Sequence, residues 1–148
     1  MSKKVIINVK GTQKYEDRES DGMELVTEGK YYKKDDAFFI TYKESEVTGM
    51  EGTTTTLKVS EGIVTLMRFG SVNSHFIFER GQKHLSYYET PHGTFTIGVL
   101  ANNVNINIDD DGGEIFVGYE LEVDNNKTGS NDFHMLIREA GQVDGELN

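Results

Sequence analysis

Between His75 and Val123 large apolar residues alternate with polar ones almost without a break, in the stretch HFIFERGQKHLSYYETPHGTFTIGVLANNVNINIDDDGGEIFVGYELEV. A period of two sends successive side chains to opposite faces, so this is the pattern of strands buried on one side only. The interruptions are short and marked by glycine or asparagine, as hairpin turns require. The stretch predicts an antiparallel meander. It names no chemistry.

The flanking segments extend the same pattern. Val5, Ile7 and Val9 alternate with Ile6, Asn8 and Lys10 and open the first strand. Residues 14–22 are charged and lack an apolar stripe, so they read as a connection, with a second strand over residues 23–32. Phe38, Ile40 and Tyr42 line one face of a third strand, and residues 44–52 form a polar loop containing glycine. A threonine-rich strand over residues 53–60 is joined by Glu61-Gly62 to another over residues 63–69. Phe76 and Phe78 share a face, and Gly81-Gln82 turns the chain into Leu85 and Tyr87. Thr90-Pro91-His92-Gly93 is a turn, since proline pre-sets φ and glycine relieves the exit. Asn102-Asn103 separates Phe95, Ile97 and Val99 from Val104, Ile106 and Ile108. Strands through Ile115 to Val123 and Phe133 to Ile137 follow, and residues 140–148 read as a frayed tail.

About ten strands with one apolar face each must curl to bury that face. Short connections favour an up-and-down barrel, and closure removes exposed edges. The expected fold is all-β, a closed or nearly closed antiparallel barrel in a single domain over residues 1–148, with its core at about residues 3–139. A chain of 148 residues buries roughly 70% of its unfolded surface and needs no staples. Phe38, Ile40, Tyr42, Phe76, Phe78, Phe95, Ile97, Val117, Tyr119 and Phe133 are the expected interior. Whether they fill it or leave room for one small ligand is open at this level.

Composition narrows the function classes. The chain has no cysteine, which excludes disulfides and thiolate chemistry. A formal charge of −10 disfavours nucleic acid and anionic membranes, whose binding rests on Lys and Arg at phosphates. The apolar run Val5-Ile6-Ile7 is too short for a signal peptide or a membrane span, so a cytoplasmic address is expected.

The segments AFFITYKESE, TTTTLKVSEGIVTLMRFGS, FIFERGQKHLSYYETPHGTFTIGVLANNV and GGEIFVGYELEV stand in an order and spacing that resemble the YwiB-like family of small bacterial proteins of unknown function. The resemblance covers about residues 3–139, and its most specific pieces are Thr55 to Lys58, Arg68 with Gly70, and Tyr87 to Gly93. It implies a calycin-like barrel, related in outline to lipocalins and avidins. It carries over no functional residues. Tryptophan is absent, so the Gly-x-Trp signature of lipocalins and the tryptophan-lined biotin pocket are missing.

Asn107-x-Asp109-x-Asp111-Gly112 copies half of an EF-hand loop, but its twelfth position is Gly118, so an acidic hairpin turn is expected and no metal site. His75, His84, His92 and His134 have no ligand spacing that would gather zinc. Arg68 sits on a strand with two apolar faces and is drawn partly inside, where it needs a carboxylate; Glu79 and Glu89 are the candidates. Arg68 is then either a structural ion pair, a rim residue, or the anchor of an anionic head group. Tyr42, Tyr88 and Thr90 add hydroxyls near one barrel mouth, or simply pack.

Together these readings point to a barrel that binds a small, partly apolar ligand at its mouth, with Arg68, Tyr42, Tyr88 and Thr90 as ligand-binding residues and no cofactor; an enzyme ranks third, since no carboxylate or histidine held in a cleft can be picked out. The alternative is a surface-interaction or assembly protein with a filled core. No nucleic acid and no membrane partner are expected, and a homo-oligomer stays open.

Overall fold

The structure is a computed structural model, and it describes residues 2–15 and 18–140. Residues 141–148 of the tail expected to fray, and residues 16–17, lie outside the described residues, while Ala140 donates its amide to the Lys4 carbonyl at 3.0 Å. Ten strands form one antiparallel sheet. The first three are β1 (Lys3–Tyr15), β2 (Arg18–Lys34) and β3 (Ala37–Lys43). A single turn of 3-10 helix over Glu46–Thr48 precedes β4 (Thr54–Ser60), β5 (Ile63–Phe69) and β6 (Ser74–Phe78). Then come β7 (Lys83–Thr90), β8 (Gly93–Asp109), β9 (Gly112–Val123) and β10 (Asn126–Glu139). No helix among the described residues is long and apolar enough to cross a membrane.

The order of strands in the sheet is β6-β5-β4-β3-β2-β1-β10-β9-β8-β7. Apart from β6 and β7, consecutive strands pair with one another, and β1 also pairs with β10 from Val5↔Glu139 to Lys14↔Ser130. The barrel is therefore nearly closed, with one seam between β6 and β7. Bridges hold that seam at its ends: at one, Asn73 and Glu89 exchange backbone bonds of 3.0 and 2.9 Å; at the other, Gln82 donates to the Glu79 carbonyl at 2.9 Å while Gly81 ties the turn to β8 through the Ala101 carbonyl at 2.9 Å. Between them the Ser86 hydroxyl bonds the His75 carbonyl.

Turn chemistry sets the register. Glu61 and Gly62 have φ of 52° and 81°, the two left-handed residues of a type I′ hairpin. Asp35-Asp36 and Asp124-Asn125 do the same without glycine, because short polar side chains tolerate that region.

Three expectations change. Residues 14–22 are not a loose connection: β1 and β2 stay in register at Thr12↔Gly22 and Gln13↔Asp21. A ladder satisfies backbone groups whatever the side chains, so an apolar stripe detects only the buried part of a strand. Asn102-Asn103 is not a turn but a bulge inside β8, where the register shifts between Ala101 and Asn103. Phe95 is not interior; it is exposed near the start of β8, where residues 93–96 all face solvent. β7 also runs against its own apolar pattern, with Ser86 buried and Leu85 and Tyr87 exposed.

The core divides into two halves. At the end carrying Lys3 and the β2–β3 and β4–β5 turns, Val5, Ile7, Tyr31, Ile40, Val64 and Ile115 are fully buried and fill the barrel. Tyr31 reaches across this end and donates its hydroxyl to the Asp109 carbonyl at 2.5 Å. The Asp109–Asp111 turn, expected as a plain acidic hairpin, is fastened there by Lys3, which bonds the Asp110 carbonyl and Glu139 at 2.7 Å each. The other half is hollow.

Candidate functional site

A cavity of about 300 Å³ opens at the far end of the barrel. Its floor is apolar, with Leu57, Leu66, Phe76, Phe78, Phe133 and Met135 contributing. Phe78 anchors this floor: its ring lies 4.8 Å from that of Tyr119 and 5.7 Å from that of Phe133. Gly11 contributes the absence of a side chain. It lies on β1 between Met23 and Phe133, and a Cβ there would approach nothing nearer than the Asp132 carbonyl at 3.9 Å. The Gly11 position is thus open space that a larger residue would occupy.

The wall near the mouth is polar. Tyr42, Thr55, Arg68 and Ser74 stand opposite one another across β3, β4, β5 and β6, a row of inward side chains fixed by register. Glu44 continues the inward face of β3 after Ile40 and Tyr42, and its side chain is 1% exposed. It accepts a hydrogen bond from the Thr55 hydroxyl and faces Arg68, with Nε to Oε2 at 3.8 Å. That separation makes an ion pair but not a hydrogen bond. The Arg68 side chain is 17% exposed and makes no hydrogen bond among the described residues, and its buried Nε has no partner. The buried amide nitrogen of Asn131, on β10, likewise has none.

Burial pushes the Tyr42 hydroxyl well above its ordinary pKa; the Glu44 charge adds to the rise and Arg68 opposes it. Tyr119 is raised for the same first reason, with Arg68 opposing and Asp132 reinforcing. Both phenols therefore stay protonated at neutral pH and can donate.

The structure brings Arg68 and Tyr42 together at the cavity and leaves Tyr88 and Thr90 outside its lining. Tyr88 stacks on the far side of the floor residue Phe76, centroids 6.1 Å apart. Thr90 caps its own turn, bonding the Gly93 carbonyl and the His92 amide at 3.1 Å each. The partner expected for Arg68 is also corrected: it is Glu44, whereas Glu79 pairs with His84 at 3.1 Å and Glu89 sits in the seam bridge.

Residues 7–135 match the family described as Domain of unknown function (DUF1934). The chain belongs to the DUF1934 family. A curated relative, the uncharacterized beta-barrel protein YwiB of Bacillus subtilis (strain 168), is 28% identical over 108 residues, covering 73% of this chain and 75% of the relative. The crystal structure of the ywiB protein from Bacillus subtilis superposes with a TM-score of 0.84 at 22% identity, covering 94% of this chain and 93% of that one. The DUF1934 barrel is thus shared between the two proteins as a fold.

Sequence reasoning about this DUF1934 chain passed over Glu44, Asn131 and Asp132, all of which line the cavity. Glu44 carried a signal: it keeps the parity of Ile40 and Tyr42 two residues past the last apolar position. Asn131 keeps the parity of Phe133 and Met135 in the same way. Asp132 carried none.

Proposed function

We propose that this DUF1934 protein binds a small, partly apolar molecule in its mouth cavity. The observation that carries the reading is Arg68: a side chain 17% exposed, set in the wall of a cavity of about 300 Å³, whose buried Nε has no hydrogen-bond partner among the described residues. A buried polar group without a partner costs free energy, and a ligand acceptor would remove that cost. Cavity size supports the reading, since it lies at the lower end for small-molecule sites, and barrel mouths are a common place for them.

The test is native mass spectrometry of the protein purified from its own host, before and after denaturing extraction. A stoichiometric mass increment that disappears on extraction, and is absent from Gly11→Leu, is the expected result. A clean apo mass, together with no binding of a hydrophobic probe dye, would overturn it.

A second reading, surface interaction, draws on a different observation. Phe69, Leu85 and Tyr87 are 63, 71 and 69% exposed, and Phe69 and Tyr87 share an outer groove with Met67 and His75 beside the seam. Exposed apolar clusters of this kind mark contact surfaces. Light scattering on wild type and Leu85→Lys decides whether self-association depends on it.

A further inference from the structure

We propose that the head group received at Arg68 is uncharged and both accepts and donates hydrogen bonds, as a primary amide does, on an apolar tail. This inference rests on the binding reading above. Charge is the first argument. Among the described lining residues Arg68 is the one cation and Glu44 and Asp132 are acids, so its charge is already matched there. Glu44 is almost wholly buried and neutralises Arg68 from 3.8 Å. A carboxylate head would add an anion beside Glu44 over an apolar floor, in a chain of charge −10.

Hydrogen-bond type is the second argument. Arg68 and the Asn131 amide nitrogen offer donors without acceptors. An ionised carboxylate only accepts, and Glu44 presents one beside Arg68. An amide meets both demands, its carbonyl toward the donors and its NH₂ toward Glu44. The tail is short: at about 30 Å³ per water-sized group, the cavity holds roughly ten such groups.

Octanamide and octanoate share a chain length and differ in charge, so they separate the two possibilities. Calorimetric titration at neutral pH should show octanamide binding roughly tenfold tighter or more, like charges being costly at close range. Gly11→Leu should abolish both titrations. Glu44→Gln should raise octanoate affinity by removing one anion, and Asp132→Asn should do the same at a less buried position should Glu44→Gln fail to fold. Octanoate binding as tightly as octanamide would overturn the uncharged head and leave the binding reading standing. Octanamide binding that survives Gly11→Leu would place the site elsewhere and overturn the inference. If neither probe binds and the native protein carries no molecule, both readings fall.

Discussion

Gly11→Leu separates a hollow mouth from a filled one. The position lies in the middle of β1, its φ is not left-handed, and a Cβ meets only the Asp132 carbonyl at 3.9 Å, so a larger residue enters without strain. Burying a leucine side chain contributes about 1.5–3 kcal/mol. Fixing its rotamer costs about 0.5–1 kcal/mol. Replacing glycine removes freedom from the unfolded chain and returns about 0.4–1 kcal/mol. The sum is a stabilisation of about 1–3 kcal/mol, in a class of change that usually destabilises. Urea unfolding should therefore show a higher midpoint at an unchanged slope, while binding of the hydrophobic dye is lost. A variant destabilised by about 1 kcal/mol or more would show overpacking. The space above Phe78 would then be occupied, and the reasoning refuted.

Arg68→Met leaves Glu44 buried without its cation and should destabilise the barrel, whereas adding Glu44→Gln should recover about 1 kcal/mol or more in a double-mutant cycle; additive losses would show that the pair is not coupled. Tyrosinate absorbance should show Tyr31, Tyr42 and Tyr119 titrating above the ordinary value of 10.0. Because the folded state holds these protons after the unfolded chain has released them, stability should be intact below about pH 10 and fall as pH rises further; a flat alkaline limb would contradict this. Hydrogen exchange should find the amides of β7 that face the seam opening before those of β1, which is laddered on both sides; equal protection would mean that the seam is as firm as the rest.

How much of this was legible in the sequence follows from what parity can tell. Alternation assigns a side chain to the inside or the outside, which is why Ile40, Tyr42, Phe76, Phe78 and Phe133 were placed correctly. Parity says nothing of height along the barrel axis. Phe95 has a plausible parity, yet it lies in an exposed part of β8. Height comes from register: Tyr42 and Arg68 meet because Thr55 stands opposite both, a fact of the ladder and not of either segment. Glu44 keeps the inward parity of β3 but sits in a polar loop, whose closure, Glu44 amide to Thr53 carbonyl at 2.8 Å, holds it there. The seam was invisible, since turn residues 79–82 look like those of any hairpin.

That seam lies in mid-chain, between two consecutive strands, while the first and last strands are laced together along most of their length. The chain is thus wired as a plain ten-strand meander whose beginning has been moved to β7. Linking β10 directly to β1 and cutting at residues 80–81 would convert the β1–β10 pairing, the most distant in sequence among the described strands, into a hairpin contact. Loop closure would then be local throughout, and the permuted protein should fold faster than the natural one at similar stability. On the ribosome the natural order has the opposite effect: β1 must wait for β10, so the barrel is completed only after the last strand has been synthesised.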